Sequence, residues 1–171
     1  MKLMFFVEGD DDQRFIERTI VPAIATKYDV IKYFRYASSV PKETCKVLRT
    51  LESTGWDYLF LADRDQSACK THRREKICEK MQVVTAKKII VVDQEIESWY
   101  VSGLDAASAR GVGLDLPRSS ELFSKEHLVR LVGKRFPTAT DLKLFLLDSF
   151  SLEVGRKSNA SFAYLCKRLG I

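Results

Sequence analysis

Metal-binding and redox residues are scarce in this chain and badly spaced for their usual work. Cys45, Cys69, Cys78 and Cys166 include no pair at the spacing of a zinc ribbon or redox motif, and the two histidines, His72 and His127, lie far apart. That speaks against a zinc module and reads as free, mostly buried thiols in a reducing cytosol. Long apolar runs are also missing. Leu3–Val7 stops at Glu8, too short for a signal-peptide core, and no later run approaches the roughly 20 residues of a membrane span. A soluble cytoplasmic protein without a membrane partner is expected. Eight glycines and four prolines in 171 residues are too few for a fibrous or low-complexity chain. Gly111-Val112-Gly113 is followed by no Lys-Ser/Thr and makes no phosphate loop. No serine or cysteine has a visible base and orienting partner, so a nucleophilic hydrolase has no support.

What is present is enough for a buried core: 46% of residues are hydrophobic and 11% aromatic. Lys and Arg number 28 against 23 Asp and Glu, a net charge of +5. An excess of this size is compatible with a nucleic-acid partner without requiring one.

Three apolar runs, Leu3–Val7, Tyr58–Ala62 and Ile89–Val92, lack polar alternation, as strands buried on both faces do. Val30–Tyr36 mixes Lys32 and Arg35 with aromatics and reads as a fourth strand nearer an edge. Segments of helical periodicity lie between them. One is capped within Asp10–Asp12 and ends or kinks at Pro22, one runs from Pro41 to Gly55, and one is capped by Ser67 and runs towards Met81. Ile96, Trp99 and Tyr100 share a helical face and point into the core. The pattern predicts an α/β fold with a mostly parallel four-stranded sheet flanked by helices. Residues 1–103 form the expected core. From Leu104 to Ser120 glycines, Pro117 and paired serines predict a surface loop. Amphipathic stretches at Lys125–Arg135, Ala139–Ser149 and Ala160–Leu169 complete an extension, residues 104–171, expected to pack on the core as a small helical tail.

Each buried strand is followed by acids: Glu8 after the first, Asp63 and Asp65 after the second, and Asp93, Glu95 and Glu97 after the third. In a parallel sheet the carboxyl ends share one edge, where such folds bind ligands. Like charges about 4 Å apart repel by roughly 4 kcal/mol at an effective dielectric near 20, so a cluster of them calls for protons or a cation. Oxygen-only donors select Mg²⁺ or Mn²⁺. Each acid taken singly also has an ordinary role as a turn former or helix-start residue. Asp93 is assigned that role, and Asp10–Asp12 are helix-start residues of which Asp12 is the one placed to reach the site.

Val7-Glu8-Gly9 with Asp12, followed by Leu61-Ala62-Asp63-Arg64-Asp65, resembles the signature motifs of TOPRIM domains. Gln94-Glu95-Ile96-Glu97-Ser98-Trp99-Tyr100 is similar to the third acidic motif of small TOPRIM-like proteins related to the OLD-family nucleases, and Ser158–Phe162 resembles their ends. The resemblance implies a Rossmann-like TOPRIM core acting as a Mg²⁺-dependent nuclease on DNA or RNA. Glu8 would be the general acid or base, Asp63 and Asp65 would bind metal, and Glu97 or its competitor Glu95 would complete the site. It also implies a partner ATPase encoded separately. Gln66-Ser67-Ala68 stands where many TOPRIM proteins carry glycine, a departure from primases, topoisomerases and the ribonuclease M5 type of RNA-processing endonuclease. Lys70, Arg73 and Arg74, and Arg156 with Lys157, are the basic groups available to meet phosphates, the ordinary alternative for each being a solvated helix surface. A non-catalytic nucleic-acid- or protein-binding module, or a small-molecule phosphotransfer enzyme using the same acids, are the other readings.

Overall fold

The computed structural model describes residues 1–114, 120–132 and 135–171. The chain is α/β, with a four-stranded parallel sheet flanked by helices, a Rossmann-like architecture. Strands β1 (Lys2–Val7), β2 (Val30–Arg35), β3 (Asp57–Asp63) and β4 (Ile89–Val92) lie in the order β2-β1-β3-β4. In register, Phe6 sits beside Phe34 of β2 and Phe60 of β3. The central strand is buried on both faces, because odd and even positions, Phe5 and Phe6 alike, are excluded from water. The edge strand β2 is only half-buried, as its mixed composition predicts.

Helix α1 (Asp10–Phe15) continues through a π-helical turn, Ile16–Ile20, into α2 (Val21–Ile24). Pro22 does not end the helix: it enters at the start of α2. Its ring would press on the Arg18 carbonyl and it has no N–H to give, and the preceding turn is widened instead. The cap of α1 is Gly9 rather than an aspartate, with Asp12 Oδ2 accepting the Gly9 N–H at 3.0 Å. Helices α3 (Pro41–Ser53) and α4 (Lys70–Met81) follow β2 and β3. They bury Leu48, Leu51, Ile77 and Met81 against Phe6, Phe60 and Val91 of the sheet. The cap of α4 is Cys69, whose sulfur accepts from His72 N–H, and not Ser67, which is buried in the turn before it.

Two compact units divide the chain, Met1–Val91 and Val92–Ile171. The second holds α5 (Glu97–Ser102), α6 (Ala106–Val112), α7 (Lys125–Val129), α8 (Ala139–Asp148), α9 (Leu152–Ser158) and α10 (Ala160–Leu169). Its own apolar centre includes Trp99 and Phe162 with ring centroids 5.5 Å apart, and Phe150 edge-on to Phe162. Trp99 Nε1 donates to Ser161 Oγ at 2.8 Å, and Ser161 donates to Asn159 Oδ1, which also caps α10. Within the expected Leu104–Ser120 loop, Ala106–Val112 is helical: Asp105 caps it, Gly111 lies within its last turn and Gly113 closes it at φ 77. Residues 115–119 of that loop, Pro117 among them, lie outside the described residues, as do 133–134 of the expected Lys125–Arg135 helix, which ends at Val129. Leu152–Ser158 is a further helix, capped by Ser151. Among the described residues no helix is long and apolar enough to cross a membrane.

Candidate active site at the strand ends

The chain leaves β1 in one direction to reach β2 and returns across it to β3, so the carboxyl ends of β1 and β3 flank the point where the connections diverge. Open parallel sheets bind ligands in the crevice at such a point. Glu8 is the first residue after β1 and Asp63 the last of β3. Glu8 Oε1 accepts the backbone N–H of Asp63 at 3.2 Å, which ties the two strand ends together.

Two further groups converge on the same carboxylate. Tyr36, just past β2, reaches over with its hydroxyl 2.7 Å from Glu8 Oε1 and 2.9 Å from the Leu61 carbonyl. Burial, with the Glu8 charge as the second cause, pushes the Tyr36 hydroxyl well above its usual pKa, so it stays a proton donor. Arg73, from the second turn of α4, places Nη2 2.7 Å from Asp65 Oδ2 and 3.5 Å from Glu8 Oε1. One guanidinium nitrogen thus serves both carboxylates. Asp65 holds the left-handed conformation, φ 49, which a short polar side chain tolerates better than most. Asp12 is buried behind Gly9. Desolvation, opposed by the Gly9 N–H and reinforced by the Glu8 charge, raises its carboxyl to about 7.

A cavity of about 460 Å³ opens beside these groups, lined by Glu8, Asp65 and Tyr36 and by Arg73, Lys76 and Lys80 of α4. Tyr36 packs its ring on Phe60 with centroids 4.2 Å apart.

The structure therefore joins the carboxylates of Glu8 and Asp65 through Arg73 and brings the backbone N–H of Asp63 onto Glu8, with Asp12 behind Gly9. Lys70 opens α4, and Arg74 donates to the Ile89 carbonyl at 3.3 Å. Glu95, Glu97, Arg156 and Lys157 belong to the second unit. There Glu97 is buried with its carboxylate 2.7 Å from Lys143 Nζ, Glu95 accepts the Lys125 backbone N–H, and Lys157 pairs with Glu153. Trp99 and Tyr100 are fully buried, in keeping with their helical spacing. Sequence reasoning missed Tyr36, Lys76 and Lys80. Nothing in the local pattern tied the lysines or Tyr36 to Glu8, which is distant from them in the chain.

The donor chemistry of Glu8, Asp63 and Asp65, all oxygen, suits a hard divalent ion. The guanidinium shared by Glu8 and Asp65 marks a position where one positive charge meets both. Among the described residues no group of three acids, histidines or cysteines is drawn tightly enough to hold an ion as the chain stands. No family model, curated protein or solved structure matches the chain.

Proposed function

We propose that this chain is a Mg²⁺- or Mn²⁺-dependent phosphodiesterase acting on DNA or RNA, working from the crevice between β1 and β3. The observation that carries this reading is the convergence of Glu8 and Asp65 on one cationic nitrogen at the mouth of a cavity whose other wall is basic. The motif resemblance to TOPRIM domains supports it. A divalent ion held by Glu8, Asp63 and Asp65 would supply Lewis-acid stabilisation of the charge that builds on a scissile phosphate. Glu8, oriented by the Tyr36 hydroxyl and the Asp63 N–H, is the general acid or base. Arg73 neutralises Glu8 and Asp65, a charge that a bound divalent ion would supply in its stead. The same reading puts the chain in the cytoplasm beside a separately encoded ATPase.

A second reading, a nucleic-acid-binding module without catalysis, is favoured by the closed Arg73 bridge. Two measurements separate them. Glu8→Gln is expected to lower cleavage of mixed DNA and RNA substrates by about 10²- to 10⁴-fold, the usual worth of an acid–base group. In calorimetry, Arg73→Ala is expected to bind Mg²⁺ about tenfold more tightly than the parent, since the competing guanidinium is gone, whereas Asp65→Ala weakens binding. Absence of both cleavage and Mg²⁺ binding in the parent chain would reject the enzyme reading.

A further inference from the structure

The basic wall of the cavity carries more charge than the acids use. Arg73, Lys76 and Lys80 stand at i, i+3 and i+7 on α4, hence on one helical face. Among the described residues of this face, Arg73 is the one paired with Glu8 and Asp65. Lys76 and Lys80 are exposed, line the same cavity, and have no ion-pair partner among the described residues. Two carboxylates against three cations leave the lining net positive even before any divalent ion is added. The same cavity is lined by Tyr36, half-buried with its ring packed on the buried Phe60.

We infer that Lys76 and Lys80 form a phosphate-binding track that leads single-stranded nucleic acid into the strand-end crevice, with a base resting near Tyr36. The inference rests on the proposed function for its direction and sharpens the substrate to an unpaired strand. Cations that follow a backbone, interleaved with an aromatic platform, are the recipe by which proteins hold single strands. A concave cavity of about 460 Å³ falls in the range that encloses one small ligand unit. Duplexes are read instead by an element inserted into their groove. The assignment differs from the one spacing alone suggested: Arg73 is engaged by the acids and Arg74 by the Ile89 carbonyl, so the free charge lies one and two turns further along α4.

The test is fluorescence anisotropy of a labelled single-stranded oligonucleotide in EDTA, where no metal-dependent chemistry runs, with circular dichroism confirming the fold of each variant. Lys76→Glu/Lys80→Glu is expected to bind at least tenfold more weakly than the parent. The milder Lys76→Gln/Lys80→Gln pair is expected to reduce the slope of log K against log salt by about 1.4, the loss of two single-strand phosphate contacts. A charge-matched reversal on the outer face of α3, Lys42→Glu/Lys46→Glu, is expected to stay within threefold of the parent, and a duplex of the same sequence to bind at least tenfold more weakly than the single strand. Equal losses from the two reversals, equal binding of duplex and single strand, or no binding by the parent would each overturn the inference. A protein that binds in this way but never cleaves with Mg²⁺ leaves the inference standing and rejects the nuclease. One that cleaves with unchanged kcat/KM after Lys76→Glu/Lys80→Glu does the reverse.

Discussion

Asp12 shows how one residue can serve a fold and its chemistry together. At the third position of α1 its carboxylate holds the Gly9 N–H, an ordinary helix-start role, yet burial raises its pKa from 3.8 to about 7. The unfolded chain releases this proton near pH 4 while the folded chain keeps it to near pH 7. Between those values folding takes up a proton, and stability falls as pH rises by about 1.4 kcal/mol per pH unit. Asp12→Asn removes the titration. Denaturant unfolding is expected to show the variant gaining on the parent by ~4 kcal/mol from pH 4 to pH 7.5, with the two curves parallel above that. A difference independent of pH would place the Asp12 carboxyl in water.

At the scale of elements, α5 and α8 are joined by a buried ion pair. Glu97, at the first position of α5, reads as a helix-start acid or a ligand. It is buried with its carboxylate on Lys143 of α8, and Lys143 also lies 5.5 Å from the Tyr100 ring centroid. Removing one partner of a buried pair strands the other, at about 3–5 kcal/mol, whereas replacing both is often tolerated. Lys143→Met is therefore expected to lower the unfolding free energy by about that amount, and Glu97→Gln/Lys143→Met to recover most of it. An unaltered Mg²⁺ affinity in Glu97→Gln would mark the pair as structural. Strands were the most legible elements, because an unbroken apolar run bounded by acids has few other uses. Helix ends were less so: Cys69 displaces Ser67 as a cap, and the short helices Ala106–Val112 and Leu152–Ser158 carry too few turns to show a period.

Over the whole molecule the thiols provide a direct check on the core. All four cysteines are free, with Cys69 exposed, Cys45 and Cys78 half-buried and Cys166 buried. Burial raises the Cys166 thiol to about 11. An aromatic disulfide reagent is expected to label Cys69 first, Cys45 and Cys78 more slowly, and Cys166 only on unfolding, while reductant leaves the thermal midpoint unchanged. The amino-acid sequence by itself determined that the chain is α/β, where its strands lie, and that an acid follows each buried run, since burial and turn chemistry are local demands on residue type. Tertiary structure alone decided the strand order β2-β1-β3-β4, and with it that Glu8 and Asp63 meet at the divergence of the connections. It also decided that Arg73 and Tyr36 reach Glu8 and that Lys76 and Lys80, without an ion-pair partner among the described residues, line the cavity beside it. These are pairings between residues far apart in the chain. A periodic pattern records which face of an element is buried, and it carries no information about which distant element will cover it.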